Sequence, residues 1–303
     1  MFDLMPVLDC GGRPLALDRP RIVGIVNVTP DSFSDGGRFA SVEAAVAHGL
    51  ALVDAGADVL DVGGESTRPG ASPVDEAEEL ARVVPVIEAL AARSRVPISV
   101  DTSKPAVMRA AVGAGAGLVN DVRALRADGA LETAAALGVP VCLMHMQGEP
   151  ATMQDAPHYD DVVDEVRRFL ADRVLACEFA GIPRSRIVVD PGFGFGKTAA
   201  HNWTLLASLP RLAELGLPIL VGLSRKRMIG EVTGRGRPDE RVLGSAVAAV
   251  LAVERGAALV RVHDVAATRE ALAVLAAVRA ATPPERRRED REAARIARLL
   301  AGD

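Results

Sequence analysis

Short β-branched runs alternate along this chain with longer alanine-rich stretches. The runs fall at 21–28 (RIVGIVNV), 58–64, 97–102, 118–122, 140–145, 187–190, 218–224 and 259–263. Between them lie stretches with helical spacing at 41–55, 75–93, 105–115, 128–137, 160–181, 201–215, 240–255 and 265–281. The runs are nearly continuous in apolar residues, as in parallel strands covered by crossover helices. Eight unbroken units predict an α/β fold, a closed (β/α)8 or TIM barrel; an open doubly wound sheet is the alternative. Gly56, Gly115, Gly138, Gly181, Gly216 and Gly256 each follow a helical stretch, where a left-handed C-cap residue is needed. Ser41, ahead of VEAA, is an N-cap candidate for the first helix.

The ends of the chain read differently. Residues 1–20 carry DCGGRP between two apolar stretches, the pattern of an N-terminal β-hairpin closing the barrel bottom. Residues 21–282 would form the barrel. After a double proline, 283–303 read as a charged, partly amphipathic C-terminal helical tail.

Composition narrows the function classes. Hydrophobic residues reach 49% but aromatics only 3%, so alanine, valine and leucine must build the core. A net charge of −5 provides no global field for nucleic acid or an anionic membrane. Cys10, Cys142 and Cys177 are far apart and show no metal or disulfide spacing. No stretch reaches the ~18 apolar residues of a membrane span, and the N-terminus lacks a signal-peptide pattern. A cytoplasmic enzyme is the expectation.

In a barrel of this kind, chemistry gathers at the C-terminal ends of the strands. There stand Asn27, the run Glu65-Ser66-Thr67-Arg68, Asp101, Asn120-Asp121, His145, Asp190, Ser224-Arg225-Lys226, and Arg261 with His263. A polar ring over an apolar barrel is costly without a ligand to satisfy it. Asp101, Asn120, Asp190 and Lys226 suit a flat heterocycle with a guanidine-like edge and an oxo group. Arg68, Arg261, His263 and Asn27 suit a diphosphate, with Asn27 offering an oxygen to Mg2+. The loops 29–41 and 63–73 are long enough to act as lids. PGFGFGKT (191–198) resembles a phosphate loop, but Pro191 stands where the first glycine belongs. Its glycines would instead let the backbone pass close to a substrate, with Phe195 lining it.

The motifs NVTPDSFSDGG (27–37), ESTRPG (65–70), DT (101–102), ND (120–121), LMHMQG (143–148), DPGFGFGK (190–197), SRK (224–226) and RVHDV (261–265) closely resemble dihydropteroate synthase. The resemblance covers about 21–280 in the right order. It implies a usually dimeric barrel that condenses 6-hydroxymethyl-7,8-dihydropterin pyrophosphate with p-aminobenzoate in folate biosynthesis, and that sulfonamides inhibit. Matched motifs place Thr67, Asp101, Asn120, Asp190 and Lys226 on the pterin, with Met144 beside its ring. Arg261 and His263 would hold the diphosphate, Arg68 nearby, and Asn27 would meet Mg2+. Phe33, Pro69 and Phe195 would form the p-aminobenzoate pocket. Asp35 would help to stabilise a cation from the closed lid. Arg227 stands where many members have serine, near the p-aminobenzoate carboxylate. The remaining alternatives are a methyltetrahydrofolate:corrinoid methyltransferase type of pterin barrel and a non-catalytic pterin-binding homologue.

Overall fold

The computed structural model describes residues 7–28, 37–66, 73–149 and 152–281. Each predicted run became a strand: β3 (Arg21–Asn27), β4 (Val59–Gly63), β5 (Ile98–Asp101), β6 (Leu118–Asp121), β7 (Val141–Met144), β8 (Ile187–Asp190), β9 (Ile219–Val221) and β10 (Ala257–Val262). Neighbours pair in parallel and β10 pairs with β3, which closes the barrel. The chain opens with an antiparallel hairpin, β1 (Val7–Cys10) and β2 (Arg13–Ala16), turned at Gly11-Gly12. The tail expected over 283–303 lies outside the described residues.

Strand side chains alternate between the two faces of the barrel wall. Outward residues such as Val26, Leu60, Val100, Val141 and Val189 pack beneath the helices in the main core. Inward residues form two layers. At the base, Val23, Val59, Leu118, Cys142, Val188, Leu220 and Leu259 cluster with Leu8, Cys10 and Leu15 of the hairpin. The hairpin presses so close to β6 that a Cβ on Gly117 would lie 2.1 Å from the Cys10 carbonyl oxygen. Two residues further along those strands come Asp61, Asn120, Met144, Asp190 and Arg261. The same period that buries an apolar plug thus lifts polar side chains to one rim.

The surrounding helices are α1 (Gly37–Ala55), α2 (Glu76–Arg93), α3 (Pro105–Gly113), α4 (Ala130–Leu137), α5 (Val162–Phe179), α6 (Ala199–Ala207), α7 (Leu209–Ala213), α8 (Arg227–Thr233), α9 (Val242–Glu254) and α10 (Val265–Ala281). All six glycines expected after helices have positive φ, with Gly138 at 69° as the C-cap of α4. Three expectations need correction. The first helix starts at Gly37 rather than at a Ser41 cap, because GRFA carries nothing after Gly37 that breaks a helix. The stretch 201–215 divides at Ser208, since Pro210 has no N–H to continue the ladder. Helix α8 is absent from the periodic stretches because its seven residues are too few to display a helical period.

Candidate active site

Arg261 points inward from β10, above Leu259. Its Nε donates to Asp61 Oδ2 at 2.5 Å and its Nη2 to Asp101 Oδ2 at 2.8 Å. Asn120 Nδ2 donates to the same Asp61 oxygen at 3.2 Å. Four strands of the barrel are therefore joined by one polar cluster resting on the apolar plug. Burial pushes the Asp101 carboxyl up to about 7, Arg261 pulls it back, and Asp61, Glu79 and Asp121 push it further up. Burial also opposes the Arg261 charge, but Asp61 and Asp101 outweigh it and hold that guanidinium above its ordinary range.

Across the rim, Asp190 Oδ1 accepts from the Gly192 N–H at 2.7 Å. Burial raises its pKa to about 6 against that bond and the charges of Lys226, Lys197 and Arg261. Lys226 holds its ammonium 4.3 Å from the centre of the Phe195 ring. Phe195 in turn packs on Met144, Met146, Met153 and Val122, which form an apolar wall at the same end of the barrel. His263 and Ser224 are paired, Nδ1 to Oγ at 3.0 Å, while the His263 backbone N–H donates to that Oγ at 3.1 Å.

Asn27 closes β3 opposite Gly63 at the same rim. Among the described residues no group of three His, Cys, Asp or Glu side chains could hold a metal ion. A divalent ion here would take oxygen from an amide such as Asn27, from diphosphate and from water, a donor set that suits Mg2+. Phe33, Asp35, Thr67, Arg68 and Pro69 lie outside the described residues.

A family model described as "Pterin binding enzyme" matches residues 23–263. Dihydropteroate synthase of Escherichia coli (strain K12) is 53% identical over 275 residues, which are 91% of this chain and 97% of that protein. A structure of Xanthomonas albilineans dihydropteroate synthase with 4-aminobenzoic acid has 64% identity and a TM-score of 0.88, covering 92% of this chain and all of that one. The enzyme from the same organism in complex with 7,8-dihydropteroate has 61% identity and a TM-score of 0.84, over 92% of this chain and 100% of that chain.

The chain belongs to the dihydropteroate synthase family of pterin-binding enzymes.

Within this member of the dihydropteroate synthase family, several rim residues serve the scaffold. Asp121 accepts from Ser103 Oγ and from the Arg123 and Leu125 N–H groups at 2.8 Å each, pinning the turn where Ala124 and Leu125 take positive φ. Arg225, at φ 58°, is clamped by Asp264 at 2.9 and 2.6 Å. Lys104 bridges Glu65 at 2.6 Å and the buried Glu79, bracing the second loop against α2. Arg227 is 80% exposed and donates to Glu231 at 2.9 Å, one turn along α8.

The glycines of 191–197 also have a structural reason. A Cβ on Gly192 would stand 1.9 Å from the His145 carbonyl oxygen, and one on Gly196 would stand 2.3 Å from that of Gln147. These two glycines admit a neighbouring backbone, not a substrate as the sequence suggested. Lys197, which looks like a phosphate-loop lysine, is 2% exposed. Its Nζ reaches Gly192 O at 3.0 Å, Phe195 O at 3.1 Å and His145 Nδ1 at 2.9 Å. The His145 carbonyl oxygen lies a further 3.5 Å from the same Nζ, so acceptors surround the lysine head. Sequence reasoning passed over Lys197, bonded to the Phe195 carbonyl, and Asp61, bonded to Asn120 and Arg261. For Asp61 a signal existed: it is a carboxylate inside an apolar strand, in phase with Val59.

Proposed function

We propose that this chain joins 6-hydroxymethyl-7,8-dihydropterin pyrophosphate to p-aminobenzoate, forming 7,8-dihydropteroate and pyrophosphate in folate biosynthesis. The observation that carries this reading is the interior ring of Asp101, Asn120 and Asp190 beside Arg261, in a chain of this family. In the assignment, Thr67, Asp101, Asn120, Asp190 and Lys226 hold the pterin, with Met144 against its face. Arg261 still has both Nη1 protons after serving Asp61 and Asp101, and with His263 and Arg68 it grips the diphosphate. Phe33, Pro69 and Phe195 take the aryl ring of p-aminobenzoate. Arg227 reaches its carboxylate by leaving Glu231, which costs little because an exposed pair one turn apart is worth only about 0.3–0.5 kcal/mol.

The chemistry follows from charge. Breaking the C–O bond to pyrophosphate leaves positive charge on the exocyclic methylene, delocalised into the dihydropterin. Carboxylates at Asp101 and Asp190, with Asp35 from the lid, stabilise that charge in a water-poor site. Arg261 and His263 stabilise the departing anion. Asn27 would help to hold Mg2+, which would supply further neutralisation of the diphosphate charge. The arylamine is already a free nucleophile at neutral pH, so no strong base is needed and substitution is SN1-like. Loops 29–41 and 63–73 keep out competing water.

We also assign the working form as a homodimer in the cytoplasm. Leu243 and Val247, exposed one turn apart on α9, support an apolar subunit face, Leu243 at 78% exposure. Among the described residues no helix is long and apolar enough to cross a membrane.

The test is pyrophosphate release by the purified chain with the pterin pyrophosphate, p-aminobenzoate and Mg2+, with dihydropteroate followed in parallel. Equal formation of both products, lost on chelating the metal, is expected. Tight binding of the pterin pyrophosphate without product would overturn the assignment in favour of a binding protein.

A further inference from the structure

Asp61 is 1% exposed in the middle of β4, and the reaction as assigned does not use it. A carboxylate inside a barrel has lost its hydration and depends on its bonding partners. Oδ2 takes two donors from distant parts of the chain, Arg261 Nε at 2.5 Å and Asn120 Nδ2 at 3.2 Å. Oδ1 is buried with no partner among the described residues.

Two consequences follow from the chemistry of the partners. Asp61 Oδ2 accepts from Asn120 Nδ2, so the amino side of Asn120 faces Asp61 and its carbonyl oxygen faces away. Asn120 then offers a ligand an acceptor, as Asp101 and Asp190 do. Arg261 is a planar fork. With Nε on Asp61 and Nη2 on Asp101, both its plane and its direction are set. Without Asp61 the amide has no reason to keep one orientation, and the guanidinium can swing about its bond to Asp101.

We propose that Asp61 is a positioning residue that acts through Asn120 and Arg261, making this part of the pocket select a heterocycle edge rich in N–H donors. The inference rests on the assignment of Asn120 and Arg261 to the pterin pyrophosphate.

The test compares full-length wild type with Asp61→Asn, which keeps the shape but adds a donor, and with Asp61→Ser. Calorimetry measures binding of 6-hydroxymethylpterin and of the same compound lacking its 2-amino group. Wild type is expected to prefer the first strongly, and the variants are expected to bring the two within a few-fold. In turnover, kcat/KM for the pterin pyrophosphate should fall about 10- to 100-fold, as for a misplaced binding group, with KM for p-aminobenzoate nearly unchanged. A purely structural Asp61 would lower the melting temperature and leave the preference between the two pterins intact; that result overturns the proposal. If both variants unfold, the wild type still decides the matter. Its Asn120 side-chain amide protons, observed by NMR in 15N-labelled protein, should exchange slowly with solvent, and exchange at the rate of a free amide overturns the proposal. A wild type that binds pterin with this preference yet makes no dihydropteroate sinks the assigned reaction and leaves the role of Asp61 standing.

Discussion

Lys197 and His145 form one buried unit, with the lysine Nζ 2.9 Å from the histidine Nδ1. Burial and the neighbouring ammonium hold His145 down to about 2, so the ring stays neutral. Burial likewise lowers Lys197 to about 7, with Asp190 opposing and Lys226 assisting. The pair ties the end of β7 to the loop that presents Phe195.

Lys197→Met removes the three donors at similar volume. Stranding the carbonyls of Gly192 and Phe195 should cost on the order of 1–3 kcal/mol. KM for p-aminobenzoate should rise while the pterin still binds, since the loop carrying Phe195 loses its anchor. Thermal melting and steady-state kinetics check both. The pH dependence supplies a further sign. The folded Lys197 value of about 7 lies below the ordinary 10.5. Between those values the unfolded chain binds a proton that the folded one does not. Wild type should therefore gain stability relative to the methionine variant as pH rises from about 7 towards 10.

Asp101 has the opposite sign. Its folded value of about 7 lies above the ordinary 3.8, so the folded state holds a proton that the unfolded chain has released. Wild type should lose stability relative to Asp101→Asn as pH rises from about 4 to about 7. Activity should move the other way. The ionised carboxylate is the form that stabilises a cation, so turnover should fall on the acid side of about pH 7, and Asp101→Asn should be severely impaired at any pH. Melting curves and a pH–rate profile of both proteins measure this.

Gly192 and Gly216 separate backbone conformation from crowding. Their φ values are nearly the same, 68° and 67°. Nothing lies within 4 Å of a Cβ on Gly216, whereas one on Gly192 meets the His145 carbonyl oxygen. Gly216→Ala should cost only the left-handed penalty of about 1–2 kcal/mol. Gly192→Ala should cost far more and abolish activity through displacement of the loop. Comparable melting temperatures for the two variants would contradict the reading of that loop.

Arg227→Ser tests the p-aminobenzoate assignment. The exposed pair with Glu231 predicts a stability change within about 0.5 kcal/mol. KM for p-aminobenzoate should rise a few-fold with kcat unchanged. An unaltered KM would leave Arg227 as a surface residue only.

Much of the fold was legible because it rests on local periods. Eight apolar runs, the intervening helical spacing and the glycines at helix ends are short-range patterns, and the closed barrel follows from them. Most rim residues were legible for the same reason: Asp101, Asn120, Asp190 and Arg261 stand at or near the ends of recognisable strands. The chain alone thus determined the architecture, the rim on which these polar side chains gather, and the family. Partnership was decided only in three dimensions. Asp61 and Arg261 are 200 residues apart, and only closure of β10 onto β3 brings their strands into one wall. Lys197 Nζ turns inward to its own loop because the carbonyl oxygens of Gly192 and Phe195 and the His145 ring surround it, in keeping with Pro191 breaking the phosphate-loop pattern. A side chain's type is written locally, but its bonding partners and its charge depend on what folding buries beside it.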